Sequence, residues 1–564
     1  MSRPIPLPVV AALCSVVGPF AVAQQYGGAF EIDQAIYNAT AGEVYGAACA
    51  AIEDLNSDGI ADFLVSAPGF DATGLLNSGR VQLLSGADGS LIHQFEGTVN
   101  YERLGRAVVA IPDIDTDGVA DIAISSWKGD GEVTLWSGAT RTLIATISAP
   151  VDAEDFGCDL AVLPDISANG FDELLIGAEN AVVGGLATGA VYAYDLDTLT
   201  SVQSVNGSAI GDTFGCALDV IADVNTDGLA DYLVSAPGAD AGGLNNSGSV
   251  YLISGADGSI LQQIDGARAG LFLGTSVAGL DDLNADGTPD FAIGTIRDFP
   301  GASGLYVGSV AIVSGADGTE LRRHWGKDNF ESFGAVVVDA GDLDGDGLCE
   351  YAVGAPGDLY GGRVYLYHSS VNLGMTILES EGSDDQHGTA VAAFGDHDGD
   401  GWPALLVTAP RADAGAASSG GVYLRELRAC LTASANNVSN AAGGVVTYDV
   451  DFPADITSKP TQIYQVLLSS SGTGPTDLFG MAASVTDDGL LQDSISKSYP
   501  GPLSSPFGNL APDGTASFSA TFPAGGLNNL VGMTFYVSAV WYEQGGAGFV
   551  LRGFARAQPI TIDA

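Results

Sequence analysis

One acidic pattern occurs seven times along this chain, and its spacing constrains the fold more than any other feature. The pattern places polar oxygen-bearing residues at positions 1, 3 and 5, a glycine at position 6, and in six copies a further acid at position 9. Its first aspartates are residues 54, 113, 165, 223, 282, 342 and 396, which lie 52 to 60 residues apart. A repeat of this length predicts an array of similar units in which neighbours share a core.

Each repeat contains four short strand-like runs, as the copy at 223 illustrates. Phe214-Gly215 opens the first run, which leads into the acidic pattern at 223–231. The apolar run DYLVSA follows directly, and GSVYLI at 248–253 forms a third run. The turn SGADG at 254–258 then leads to a fourth. Four strands per unit without helical periodicity predict one blade of a β-propeller, so seven units predict seven blades.

The seventh repeat lacks the SGADG turn and a fourth strand. The early segment AFEIDQAI at 29–36 has no repeat of its own. We therefore predict that it supplies the outer strand of the last blade, because closing the ring removes exposed sheet edges.

The predicted fold class is all-β, with a seven-bladed β-propeller followed by a small C-terminal β-sandwich-like domain. Residues 24–428 form the propeller in this interpretation. Residues 429–564 contain strand-like runs such as TFYVSAVWYE, separated by turns rich in glycine and proline, which favour a β-sandwich. Residues 1–23 are read as a signal peptide, because an apolar stretch ends at the small-residue signature Ala21-Val22-Ala23.

The repeats resemble the FG-GAP repeats of integrin alpha-chain propellers and of secreted bacterial proteins that share them. The resemblance covers residues 29–428. It rests on the aromatic-Gly start, the acidic pattern, and GAP-like strand ends. These ends are Ser66-Ala67-Pro68, Ser235-Ala236-Pro237, Gly354-Ala355-Pro356 and Thr408-Ala409-Pro410. It implies that the acidic loops lie opposite a ligand-binding face and brace the blades. Such repeats also accompany a phospholipase D, but its catalytic domain is separate and no segment here resembles that domain.

The acidic loops are predicted to bind calcium. Side chains at positions 1, 3, 5 and 9 and the carbonyl at position 7 converge on one point, and a hard cation collects six or more such oxygens. Magnesium is less suited, because it keeps its waters and demands octahedral geometry. The five predicted sites comprise Asp54, Asn56, Asp58, Ile60 and Asp62; Asp113, Asp115, Asp117, Val119 and Asp121; Asp223, Asn225, Asp227, Leu229 and Asp231; Asp282, Asn284, Asp286, Thr288 and Asp290; and Asp342, Asp344, Asp346, Leu348 and Glu350.

Two further loops are predicted to bind weakly or not at all. They offer Asp165, Ser167, Asn169 and Glu173, and Asp396, Asp398 and Asp400 with Ala404 at position 9. An acidic turn without metal is the alternative for every loop, since Asp, Asn and Gly favour turns by themselves. Calcium is expected to stabilise the fold, with a calcium-switched adhesive role as the alternative.

The strongly negative net charge restricts the kinds of partner that the chain can bind. The chain has 69 acidic and 19 basic residues and a formal net charge of −50. Nucleic acid and anionic membranes are therefore disfavoured. No later segment reaches the roughly 20 apolar residues of a membrane span. We expect an exported protein, secreted or at the cell surface, with calcium and an extracellular protein or glycan as partners.

Catalytic residues are not evident from the sequence. None of the five histidines lies in a recognisable catalytic motif. His387 replaces the aromatic of a Phe-Gly pair, and His397 is expected to point outward from its loop. Cys158 and Cys216 both follow a Phe-Gly pair and are expected to be buried thiols, although a bridge between them is an alternative. The predicted function is a non-enzymatic adhesion or protein- or glycan-binding scaffold; the alternative is an extracellular hydrolase or lyase that uses the propeller face.

Overall fold

The computed structural model describes residues 29–38, 40, 42–300, 306–343, 348–357, 361–367, 375–380, 384–395, 397, 403–413 and 419–428, and beyond these only strand segments of the C-terminal region. The proposed signal peptide at 1–23 lies outside the described residues, as do residues Cys430, His368 and Trp402.

Seven four-stranded antiparallel sheets form the seven blades of the propeller. The first strand in the chain, β1, is Ala29–Tyr37, and it belongs to blade 7. Blades 1 to 3 comprise β2 (Cys49–Ile52), β3 (Asp62–Ala67), β4 (Arg80–Leu84) and β5 (Leu91–Glu96); β6 (Val108–Ile111), β7 (Asp121–Ser126), β8 (Glu132–Trp136) and β9 (Leu143–Ser148); and β10 (Phe156–Leu163), β11 (Glu173–Ala178), β14 (Ala190–Asp195) and β15 (Ser201–Asn206), with β12 (Val182–Val183) and β13 (Leu186–Ala187) as a small hairpin within blade 3.

Blades 4 to 7 repeat this arrangement. Their strands are β16 (Leu218–Ile221), β17 (Asp231–Ala236), β18 (Ser249–Ile253) and β19 (Ile260–Asp265); β20 (Ser276–Gly279), β21 (Phe291–Thr295), β22 (Ser309–Val313) and β23 (Glu320–Trp325); β24 (Val336–Gly341), β25 (Glu350–Ala355), β26 (Arg363–Tyr367) and β27 (Met375–Glu379); and β28 (Val391–Gly395), β29 (Ala404–Ala409) and β30 (Gly421–Arg428). The described helical structure is a single 3-10 turn, Ala241–Gly243. None of the described residues belongs to a helix long and apolar enough to cross a membrane.

The ring is closed by the segment that the sequence singled out. Strand β1 pairs antiparallel with β30, from Ala29 opposite Arg428 to Tyr37 opposite Gly421. The outer strand of blade 7 therefore comes from the N-terminal part of the propeller, which gives the last blade its fourth strand.

The core lies between adjacent blades. The second strand of a blade is buried along its whole length, as in Asp62–Ala67 and Asp231–Ala236, because neighbouring blades cover both of its faces. This explains why these strands read as short continuous apolar runs in the sequence. The clusters between blades join residues from both sides, such as Leu233 of blade 4 and Ile293 of blade 5.

Each blade has two chemically different ends. The acidic loop joins the first and second strands, and the SGADG turn joins the third and fourth, so both lie at one end, here called the loop end. The Phe-Gly pairs lie at the other, called the Phe-Gly end, where parallel bridges such as Gly248 to Leu273 link neighbouring blades. A Cβ at Gly248 would lie 2.3 Å from the Leu273 backbone nitrogen, so this contact requires glycine.

The C-terminal region is described by its strands alone. They are β31 (Leu431–Ala433), β32 (Asn437–Ser439), β33 (Gly444–Asp451), β34 (Ile463–Ser469), β35 (Thr476–Leu478), β36 (Met481–Ala483), β37 (Leu503–Ser504), β38 (Phe507–Asn509), β39 (Thr515–Phe522), β40 (Thr534–Gly545), β41 (Gly548–Phe554) and β42 (Gln558–Asp563). They pair into a four-stranded sheet, a six-stranded sheet and a hairpin. A β-sandwich at 429–564 stays a prediction.

Candidate metal centres

Five acidic loops share one backbone geometry. In each, the aspartate at position 1 accepts a hydrogen bond from the N–H of the glycine at position 6, at 2.7 or 2.8 Å. That glycine has φ between 91 and 93° in all five loops. The residue at position 4 is also left-handed, with φ between 58 and 65°; these residues are Ser57, Thr116, Ala168, Thr226 and Ala285. Such a bend curls the loop around its own side chains.

The acid at position 9 is buried and links the loop to the neighbouring turn. In the loop at 223–231, one oxygen of Asp231 accepts the Val224 N–H at 2.9 Å, and the other accepts the Gly255 N–H at 3.1 Å. Asp62, Asp121 and Asp290 make the same two kinds of bond with their own loops and turns. This acid therefore fixes the loop against the SGADG turn of its blade.

The SGADG turn contributes a serine that lies far from the loop in the sequence and next to it in the fold. The Ser254 hydroxyl lies 3.3 Å from Oδ2 of Asp227 at position 5, and Ser85 lies 3.1 Å from Asp58. The glycine after Ser254 is required, because a Cβ at Gly255 would lie 2.0 Å from the Ala230 carbonyl oxygen. The sequence does contain a signal for this contact, because a Ser-Gly pair follows the third strand of blades 1, 2, 4 and 5.

The loop at 113–121 brings three carboxylates to one point. One oxygen from each of Asp113, Asp115 and Asp117 lies within 4.8 Å of the others. In the loops at 54 and 223, asparagine replaces the middle acid, and its Oδ1 accepts the N–H of the position 5 residue, Asp58 or Asp227. Carboxylate and amide oxygens at this spacing are the donor set that calcium prefers.

The loop at 165–173 draws a third carboxylate from outside its own segment. Asp195 stands where the other blades place the serine of the turn, and it is 1% exposed. It accepts hydrogen bonds from Ser167 at 3.3 Å and from Asn169. The loop pattern itself contains only Asp165 and Glu173 as acids, because the third carboxylate belongs to the turn that folds beside it.

Glu173 differs from the aspartates at the equivalent position. Its Oε2 accepts the Ile166 N–H at 2.8 Å, whereas Oε1 is buried without a hydrogen-bond partner among the described residues. Leu196 replaces the glycine whose N–H would have reached this oxygen. A buried carboxylate oxygen of this kind fits a cation ligand, because leaving it unpaired is costly.

The last two predicted loops are described only in part. Glu350 lies at position 9 and accepts a hydrogen bond from the Leu343 N–H at 2.8 Å, the same kind of bond that the position 9 acid makes in the other loops. Asp342 and Leu348 are described, whereas Asp344 and Asp346 lie outside the described residues. Asp396, Asp398 and Asp400 also lie outside them.

The buried acids at position 9 are shifted in their protonation. Burial raises the pKa of Asp62 and of Asp290 to about 6. It also raises the pKa values of Asp121, Asp231 and Glu173 above their usual range. A divalent cation beside these carboxylates would lower the pKa values again, because opposite charge stabilises the ionised form.

Two further acids lie on the innermost strands of neighbouring blades. Asp159 and Asp219, on the innermost strands of blades 3 and 4, accept the N–H groups of Leu218 and Gly279 from the next blade at 2.8 and 2.9 Å. Burial raises the pKa of Asp159 to about 6 and that of Asp219 to about 7. These carboxylates tie neighbouring innermost strands together.

The described histidines lie in the protein core or in contact with other rings. The expectation that His397 points outward is wrong: it is 5% exposed and stacks on Phe394 with ring centroids 5.1 Å apart. Position 2 of a loop faces inward, as Leu55 and Leu343 also show. His387 occupies the aromatic position as predicted and packs against Tyr423 at 5.2 Å. Cys158 and Cys216 are free thiols.

Part of the repeat region matches a known protein-family model. The family model of the FG-GAP repeat matches residues 45–84, which include the first acidic loop and β4. Integrin alpha-6 of Gallus gallus is 32% identical over 155 residues, covering 26% of this chain and 14% of the relative. Phosphatidylinositol-glycan-specific phospholipase D of Homo sapiens is 28% identical over 384 residues, covering 56% of this chain and 44% of the relative. The chain thus spans less than half the length of these relatives.

Among solved structures, the crystal structure of BBS1N in complex with ARL6DN, soaked with lead, matches with a TM-score of 0.45. Its sequence is 11% identical, and the match covers 72% of this chain and 98% of that chain.

Proposed function

We propose that this chain, an FG-GAP repeat β-propeller similar to the N-terminal domain of integrin alpha chains, is an exported, non-enzymatic binding scaffold whose acidic loops hold calcium. The observation that carries the proposal is the repeated loop geometry. Five loops with different side chains keep the same hydrogen bond from the position 6 N–H to the position 1 carboxylate and gather acidic oxygens at the same end of the ring. Like charges held this closely repel one another unless a cation lies between them.

The cation would be held by the side chains at positions 1, 3, 5 and 9 and by the carbonyl at position 7. Bound calcium would supply positive charge and would take part in no bond-making or bond-breaking step. The chain's own residues do the rest: the position 1 aspartate bends the loop, and the position 9 acid anchors it to the turn. This arrangement supports a structural role, because the loops join strands of one blade rather than forming an open cleft.

The environments of two histidines favour a scaffold over a hydrolase. His324 is hydrogen-bonded to the Tyr351 hydroxyl at 2.8 Å, and burial together with Arg322 lowers its pKa to about 3. His387 is fully buried, and burial holds its pKa well below the usual range. A histidine that stays neutral and enclosed in this way is poorly placed to activate a nucleophile.

The Phe-Gly end supports a binding face. Trp127 lies beneath two cations there, 5.1 Å from Arg103 and 4.8 Å from Arg106. Arg106 also pairs with Glu179 of the next blade at 2.7 Å. Fixed aromatic and charged groups of this kind are common in recognition surfaces. We therefore place the ligand, an extracellular protein or glycan, at this end.

Calcium is tested by thermal unfolding. The full chain is expected to melt at a clearly higher temperature in millimolar calcium than in chelator, because a ligand at one hundred times its Kd adds about 2.7 kcal/mol per site. Magnesium at the same concentration is the control and should give a smaller rise. Identical melting temperatures in calcium and chelator would overturn the metal assignment.

The binding role is tested separately, with the calcium-loaded chain applied to immobilised matrix proteins and glycans. Trp127→Ala should weaken capture of the bound ligand while leaving the melting temperature in calcium nearly unchanged. Capture that is insensitive to Trp127 would remove the Phe-Gly end from the proposal. Turnover of a glycan or ester by the chain would favour the hydrolase instead.

A further inference from the structure

Blade 5 lacks three side chains that fill the space between blades elsewhere in the ring. The first is a tyrosine on the third strand of a blade. Four blades carry it, whereas Gln82, Thr134 and Ala311 stand at this position in blades 1, 2 and 5. The four tyrosines are Tyr192, Tyr251, Tyr365 and Tyr423.

The second missing side chain is the partner of that tyrosine. In the four blades the tyrosine ring packs against the residue before the glycine of the Phe-Gly pair. The ring centroids are 5.9 Å apart for Phe156–Tyr192, 5.4 Å for Phe214–Tyr251, 5.1 Å for Phe333–Tyr365 and 5.2 Å for His387–Tyr423. In blade 5 this residue is Leu273, so both members of the ring pair are absent, as they also are in blade 2 with Leu104 and Thr134.

The third missing side chain is a buried acid two residues before the Phe-Gly position. Five blades carry it, as Glu43, Glu102, Asp212, Glu331 and Asp385, each no more than 5% exposed. Glu331 accepts the N–H groups of Lys327 and Asp328 at 2.6 and 3.0 Å, and it also accepts the hydroxyl of Tyr365. The acid therefore caps the chain after the outer strand of the preceding blade.

Leu271 replaces this acid in blade 5. The N–H groups that it would have capped belong to Ala267 and Arg268. Neither N–H has a hydrogen-bond acceptor among the described residues. Two backbone donors are thus left at the place where five of the other six blades hold a buried carboxylate.

These three replacements coincide with a cavity of about 340 Å³ between blades 4 and 5. Leu271, Leu273 and Ala311 all line it, together with Ala267, Arg268 and Trp325. The Arg268 side chain at its mouth is 37% exposed, so the cavity communicates with solvent. Its volume is that of a site for a small organic molecule.

The rim of the cavity carries both charges and its interior is apolar: Asp265, Asp298 and Glu320 line it together with Arg268 and Arg323. Asp298 is 1% exposed and pairs with both Arg268 and Arg323, the latter at 3.0 Å. Arg323 also pairs with Glu320, so what would attract an anion here is the pair of uncapped N–H groups of Ala267 and Arg268 and not the charge of the rim. The floor is aliphatic, and the Trp325 indole offers a flat surface on which a ring can stack.

We propose that this cavity binds a small aromatic carboxylate. Its ring takes the space that tyrosine fills in the other four blades, beside Trp325. Its carboxylate takes the place of the missing acid and accepts the N–H groups of Ala267 and Arg268. The ligand thus restores to blade 5 the ring and the acid that its sequence lacks.

Calorimetry on the full chain with 4-hydroxyphenylacetate tests the proposal, with p-cresol as the uncharged control. We expect saturable binding of the acid to one site. The uncharged ring should bind about tenfold more weakly, because it leaves the two N–H groups unpaired. Absence of saturable binding at millimolar acid would overturn the site, and equal affinity for both probes would overturn the role of the carboxylate.

Two variants of blade 5 locate the binding. Ala311→Tyr fills the cavity with the tyrosine found in blades 3, 4, 6 and 7 and should abolish binding of both probes. Leu271→Glu restores the acid and should weaken 4-hydroxyphenylacetate selectively, leaving p-cresol bound. Unchanged binding of the acid in either folded variant contradicts the assignment, and Leu271→Glu decides the question if Ala311→Tyr does not fold.

Tyr251→Ala in blade 4 is the matched control. It opens the same space there but keeps Asp212, which would repel a carboxylate. This variant should therefore gain a site for p-cresol and none for 4-hydroxyphenylacetate. If this variant bound 4-hydroxyphenylacetate as tightly as p-cresol, the aromatic space alone would determine binding, which would contradict the proposal.

Discussion

The loop at 223–231 and the loop at 165–173 reach one backbone shape with different side chains. Gly228 and Gly170 both have φ of 93°, and each donates its N–H to the position 1 aspartate, at 2.7 and 2.8 Å. The first loop carries aspartates at positions 1, 5 and 9. The second carries only Asp165 and Glu173 and takes Asp195 from the turn beside it.

This difference separates the shape of a loop from its charge. The shape depends on the position 1 aspartate, the position 6 glycine and the buried acid at position 9, which both loops keep. The charge at the centre comes from whichever neighbouring side chains supply carboxylates. Consequently, a loop that departs from the pattern in its own segment still gathers three acids once the blade has folded.

The largest effect is expected from removing the acid at position 9. Asp231→Ala leaves the N–H groups of Val224 and Gly255 unpaired, whereas Glu173→Ala leaves only that of Ile166 unpaired. At about 1–3 kcal/mol for each buried N–H, the Asp231 variant should lose roughly twice as much stability in chelator. Urea unfolding in chelator measures both losses, and a larger loss for Glu173→Ala would contradict the comparison.

A smaller and equal effect is expected at position 6. Gly228→Ala and Gly170→Ala each force alanine into a left-handed conformation, although nothing lies within 4 Å of either added Cβ. Each should therefore cost about 1–2 kcal/mol from backbone strain alone. The same unfolding experiment applies, and clearly unequal costs would mean that the two loops do not share one backbone.

The smallest change in stability is expected from exchanging the turn residues. Asp195→Ser gives blade 3 the serine found in blade 4, and Ser254→Asp does the reverse. In chelator Asp195→Ser should alter stability by less than about 1 kcal/mol, because serine also accepts hydrogen bonds within the turn. In calcium titrations Asp195→Ser should bind one ion fewer, whereas Ser254→Asp should keep its site. An unchanged number of ions after Asp195→Ser would show that this carboxylate is not a ligand.

Much of the ring could be predicted from the sequence, because its determinants are local and repeated. The acidic pattern, the Phe-Gly pair and the SGADG turn recur at a regular period, and repetition distinguishes a structural requirement from chance. Closure by β1 was also accessible, since a repeat with three strands requires a fourth. The regular loops followed because positions 1, 6 and 9 act within nine consecutive residues.

The features that were missed depend on contacts between distant residues. Asp195 reaches the loop at 165–173 from 26 residues away at Asn169. His397 was expected to point outward from position 2 of its loop, yet position 2 faces the core beside Phe394. The cavity in blade 5 required the pairing of Leu273 with Ala311 to be known, and 38 positions separate them in the sequence.

The sequence alone determined the number of blades, the strands within each, and the acidic oxygens offered at the loop end, because each follows from a short pattern and its period. Only the tertiary structure decided which side chains meet between blades and across turns. Packing between elements joins residues that no local pattern connects. Ala311 in β22 is therefore unremarkable in the sequence, and only its neighbours in the folded blade show that a tyrosine is missing there.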